Sequence, residues 1–117
     1  MPNPNVLFIV SGDPRNSPRP AEAIRIAAGV GAWKKANITL YLRETAVLAL
    51  SEFADEFIDE DNYTRYLPIV GEFGRPIYVQ KNAVELAELG ESAFKFKEIS
   101  DDELSDLAAN STYVVRF

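Results

Sequence analysis

The chain of 117 residues carries 12 Lys and Arg against 18 Asp and Glu, a formal charge of −6, with 47% hydrophobic and 26% charged residues and neither cysteine nor histidine. That length suits one domain around one core, no apolar run approaches the roughly 20 residues of a membrane-spanning helix, and the acidic balance disfavours nucleic acid as a partner. The missing cysteine and histidine remove disulfides, thiol or persulfide chemistry, the usual zinc ligands and the commonest general base, so any catalysis falls to carboxylates, lysine, hydroxyls or backbone groups.

The start, Met1-Pro2-Asn3-Pro4-Asn5, has neither the basic residues nor the apolar segment of a secretory signal, which sets a cytoplasmic expectation. Val6-Leu7-Phe8-Ile9-Val10 is apolar on both faces, the mark of an inner strand in a parallel sheet covered above and below. After the loop of residues 11–20, an alanine-rich helix is expected from about Pro20, because proline loses nothing in a first turn while Arg19 is pushed from helical geometry. Ile24, Ala27, Ala28 and Gly31 share one helix face with Ile26, Val30 and Trp33 beside them. Small residues there predict close packing on the sheet.

Lys34 and Lys35 suit the helix C-terminus, Asn37 stops it, and residues 38–42 read as a second strand. Residues 46–50 are too short for periodicity to separate helix from strand. Phe53 and Phe57 lie four apart, predicting a short amphipathic helix over residues 51–58. A second helix is expected over residues 62–73, interrupted or begun late because of Pro68 and ended by Gly71 and Gly74. Residues 76–80 form a third strand with its proline at the first position.

Asn82 and Glu85 have N-cap and N3 spacing, predicting a helix over residues 83–89 closed by Gly90. Residues 93–99 alternate apolar and charged, as a half-exposed strand near an edge does. Ser100 and Glu103 form a capping box, and Leu104, Leu107 and Ala108 are the expected buried stripe of the last helix. Residues 112–117 close the chain as a fifth strand. Strands separated by helices imply right-handed parallel crossovers, hence one domain with a five-stranded parallel sheet in a three-layer α/β/α sandwich.

Two stretches are candidates for binding. The loop after the first strand leaves its carboxyl end, where open α/β sheets hold ligands. Ser11, Gly12, Asp13, Arg15 and Ser17 lie in it, and with the free N–H groups of the helix start they can cradle an anion. The plainer reading is a proline-stiffened loop whose serine caps a helix and whose arginines are solvated, since neither the P-loop nor the dinucleotide spacing is present. Gln80, Lys81 and Asn82 end the third strand on the same rim, or serve only as cap and solvated surface.

The acidic residues Glu52, Asp55, Glu56, Asp59, Glu60 and Asp61 do not fit a calcium loop, which counted from Asp59 needs glycine at Thr64 and glutamate at Val70. A solvated helix face is the expectation, with no metal and no cofactor. No pair of carboxylates is singled out for acid–base work. Trp33, Tyr41, Tyr66, Phe73 and Tyr78 are expected in the core or at a subunit contact.

Val6 to Pro14 followed by Ala23-Ile24-Arg25-Ile26-Ala27, with the later strands and the last helix from Lys97 to Leu107, resembles the DsrE/DsrF-like family of sulfur-relay-related proteins over nearly the whole chain. The resemblance implies a sheet that is flavodoxin-like in general form with the last strand beside the first. It also implies assembly into dimers, trimers or hexamers, or a hetero-oligomer with a cysteine-bearing DsrE-like subunit. Where the family's active members carry a sulfur-accepting cysteine at the end of the third strand, this chain has Gln80 or Lys81. The expectation is a non-catalytic scaffold or accessory subunit, and the alternative is a module binding a small anionic ligand such as a phosphate or nucleotide.

Overall fold

The computed structural model describes residues 4–33, 36–51, 57–73, 76–89 and 94–117. The elements run β1 (Asn5–Val10), α1 (Arg19–Ala32), β2 (Asn37–Leu42), a 3₁₀ segment (Glu44–Leu50), α2 (Glu60–Gly71), β3 (Ile77–Gln80), α3 (Glu85–Leu89), β4 (Phe96–Ile99), α4 (Asp101–Ala109) and β5 (Tyr113–Arg116). All strand pairs are parallel, in the order β4-β3-β2-β1-β5. The last strand does lie beside the first, and the three-layer α/β/α expectation holds.

Strand order and handedness decide the layers. The first three crossovers step the same way along the sheet, so right-handedness stacks their helices on one face. The fourth, from β4 back to the far side of β1, carries α4 onto the opposite face. Side-chain alternation divides the core accordingly: Val6, Phe8, Val10, Leu40, Leu42, Ile77 and Val79 pack with α1, the 3₁₀ segment and α2, while Leu7, Ile9, Tyr41 and Ile99 face Leu104, Leu107 and Ala108 of α4.

Several local expectations are corrected. The run 46–50 is the 3₁₀ segment, buried throughout at Ala46, Val47, Leu48, Ala49 and Leu50. Helix α2 starts earlier than residue 62 and passes through Pro68 without a break; the apolar stripe Tyr63, Leu67 and Val70 holds it against the core while Pro68 lies on the exposed side. Trp33, read as part of the packed face, is 74% exposed, because it caps α1 one residue beyond the last turn. Asn82 does not cap α3: it has a left-handed φ of 62° and belongs to the turn before a helix that begins at Glu85. The helix expected over residues 51–58 falls mostly on residues 52–56, outside the described residues, as do Lys34, Lys35, Gly74 and Gly90.

The capping box of α4 is complete, with Glu103 N donating to Ser100 Oγ and Ser100 N donating to Glu103 Oε1, each at 3.2 Å. Its apolar stripe is only half-buried, however, and no residue of α4 is fully buried. The reason is topological: among the described residues a single nine-residue helix is the whole third layer, and nothing packs over it.

Candidate carboxyl-edge site

Ligand sites of open parallel sheets lie beyond the carboxyl ends of the strands, near a point where successive connections leave for opposite faces. Here the connection after β3 goes to one face and that after β4 to the other, and Lys81 N ties the two by donating to Ile99 O at 2.9 Å. Along this rim the chain leaves β1 at Ser11, β2 at Arg43, β3 at Lys81 and β4 at Ser100.

Asp13, Arg15 and Ser17 of the expected anion cradle are engaged by neighbours in their own loop, which Ile58 N also ties down by donating to Pro14 O at 2.9 Å. Arg15 donates from N and Nε to Asp13 Oδ1 at 2.9 and 3.0 Å and from Nη2 to Asp13 Oδ2 at 2.9 Å. Asn16 Nδ2 adds a bond to Oδ2 at 3.1 Å. Charge-assisted donors favour the ionised carboxyl, so the Arg15 side chain, against a smaller opposing effect of burial, holds Asp13 below its ordinary value. Ser17 Oγ accepts from Arg19 N at 3.2 Å, ahead of the first turn of α1. Gly12, at φ 110°, supplies the backbone conformation that other residues resist.

Ser11 and Gln80 belong to a different group. The register Ile9↔Tyr41↔Tyr78 is followed by Val10↔Leu42↔Val79, so one step further Ser11, Arg43 and Gln80 align across β1, β2 and β3. Alternation puts that row on the α4 face. Ser11 N and Oγ donate to Phe117 O at 3.0 and 3.3 Å, and Arg43 N donates to Val10 O at 3.0 Å. Gln80 Oε1 accepts from Glu44 N at 2.9 Å, pinning a residue held at φ 55°. Lys81 and Asn82 are exposed on the outer side of the β3 turn, apart from this row.

Next to the row on the same face lies Tyr41, fully buried, whose hydroxyl has no hydrogen-bond partner. Arg43 Nε is likewise buried without a partner, while Glu44 Oε1 stands 3.9 Å away. Burial pushes the Tyr41 hydroxyl up; the Arg43 charge pulls it down and Asp101, at the start of α4, pushes it up again. Arg43 carried no expectation from the sequence, and Tyr41 only that of core or contact. The available signal was a basic residue directly after an apolar strand, at the end of the strand where parallel sheets bind.

Two other hollows open on the surface. At the start of α2, Phe57, Asp59, Glu60, Asp61, Asn62 and Arg65 line an open hollow of about 480 Å³, and among the described residues no three acidic side chains converge as metal ligands. Between α4 and the β3–β4 edge, Tyr78, Lys97, Ile99, Glu103, Asp106, Leu107 and Asn110 line a groove of about 310 Å³.

Fold and rim together define an α/β protein with a five-stranded all-parallel sheet and a candidate site at its carboxyl edge. No protein-family model and no curated protein sequence matches the chain. Among solved structures it is similar to the ychN protein from E. coli, with a TM-score of 0.79 and 16% identity over 97% of this chain and 99% of that one. That protein has a DsrE/DsrF-like fold, so the resemblance read from the sequence stands at the level of the fold. Among the described residues no helix is long and apolar enough to cross a membrane.

Proposed function

We propose that this chain is a DsrE-like protein without a sulfur-accepting cysteine, acting as an oligomeric scaffold or accessory subunit beside a partner that carries the reactive thiol. The observation behind it is a full-length fold match in a chain with no cysteine at all. Gln80 and Lys81 stand at the end of β3, and neither an amide nor an ammonium can take the place of a thiolate as a persulfide carrier. The thin α4 layer and the exposed Trp33, Tyr113 and Val114 offer apolar surface for a subunit contact. The partner is either a cysteine-bearing DsrE-like subunit or further copies of this chain in a dimer, trimer or hexamer. Native mass spectrometry of the protein gently purified from its own cells tests this. A co-purifying cysteine-containing subunit or a defined homo-oligomer supports the proposal; a lone 13.0 kDa species, or sulfane-sulfur transfer by the isolated chain, overturns it.

A further inference from the structure

Among the described residues, two donors at the carboxyl edge are buried with no hydrogen-bond acceptor: the Tyr41 hydroxyl and Arg43 Nε, the latter in only a long ion pair with Glu44. Unsatisfied buried donors are uncommon in folded proteins, and each calls for a reason. The two residues lie two apart on β2 and its end, on the same face of the sheet, and an acceptor group with several lone pairs can serve more than one donor. The planar guanidinium of arginine is matched to the two oxygens of a carboxylate or phosphate. The pair also sits where parallel sheets take their ligands.

We propose that Arg43 and Tyr41 bind the oxyanion group of a small acidic molecule, which enters over the rim between Ser11 and Gln80. Access is through Arg43, whose side chain is 30% exposed although its Nε is enclosed; the guanidinium shifts toward the ligand and opens the hydroxyl below it. Arg15, in the loop after β1, is forked onto Asp13, and Arg116, paired with Ile9 at the end of β5, is exposed. Glu44 stands 3.9 Å from Arg43 Nε, too far for a hydrogen bond, and its turn is held by Gln80. The Glu44 carboxylate beside Arg43 selects a singly charged carboxylate over a dianionic phosphate, because each added negative charge meets a fixed one. This site lies within one chain and stands independently of the scaffold reading.

Titration of the isolated full chain with acetate, succinate and inorganic phosphate, read by calorimetry and thermal shift, tests the proposal. The carboxylates are expected to bind the unmodified protein and the exposed-surface control Arg25→Ala equally, and at least tenfold more weakly to Arg43→Met and Tyr41→Phe. Without ligand, Tyr41→Phe is expected to melt at or above the unmodified protein, because it deletes a hydroxyl that has no partner. A purely structural tyrosine would show the opposite. Absence of binding by all three probes, binding that survives Arg43→Met, or a lower melting point for ligand-free Tyr41→Phe overturns the proposal; tighter binding of phosphate than of the carboxylates overturns the choice of a carboxylate.

Discussion

Tyr63 lies in the core against Phe57, ring centroids 5.1 Å apart and edge-on, with a buried hydroxyl that has no partner. Burial first, then the Asp59 and Asp13 charges, raises its ionisation far above the ordinary tyrosine value of 10.0. Below pH 10 the phenol is neutral in both states and its ionisation contributes nothing, whereas above it the unfolded chain ionises and the folded one resists. Stability is therefore expected to fall as pH rises past 10, and Tyr63→Phe to flatten that fall without lowering stability at neutral pH. Urea unfolding at pH 8 and pH 11 checks both. At this scale the sequence exposed only what depends on neighbours along the chain. Ser11 and Gln80 were readable because strand ends are local features. Arg43 also follows a strand end, but its place in one row with them is set by pairing across three strands, and that register is written nowhere in the run Arg43-Glu44-Thr45 itself.

Helix α1 shows how one face of an element can be fixed by a single missing atom. A Cβ on Gly31 would collide with the Phe73 ring and come within 3.1 Å of Ile38 Cγ1, whereas Gly29 has open space. Alanine improves an exposed helix interior by up to about 1 kcal/mol, so Gly29→Ala is expected to raise stability by a few tenths to 1 kcal/mol. Gly31→Ala must displace an aromatic ring and is expected to lose about 1–3 kcal/mol, as overpacked cores do. Chemical denaturation of the two variants reads the opposite signs. The small-residue face of α1 and the capping box of α4 were legible because each is a spacing within one helix. Pro68 misled for the reverse reason: local propensity says stop, but Tyr63, Leu67 and Val70 all gain burial if the helix continues, and tertiary packing outweighs one lost backbone bond.

Among the described residues the molecule is lopsided, with α1, the 3₁₀ segment, α2 and α3 on one face of the sheet and α4 alone on the other. Equal substitutions should therefore cost unequal amounts. Leu67 is 1% exposed, and Leu67→Ala is expected to lose about 2–5 kcal/mol as buried leucines do. Leu107 is half-buried on α4, and Leu107→Ala in the monomer should lose about 1 kcal/mol, less than half as much area leaving contact. Urea melts at low protein concentration compare the two. The α/β sandwich was legible from the alternation of strands and helices, but the imbalance was not, since it arises from the direction in which each crossover steps. The last of those steps has a further effect, on synthesis. Asn5 N bonds Thr112 Oγ1 across a separation of 107 residues, so β1 is made long before β5 can cover its second edge. Until then an apolar strand with an open edge is available for mispairing, and a nascent chain arrested short of Thr112 should be far more prone to aggregate than one a few residues longer.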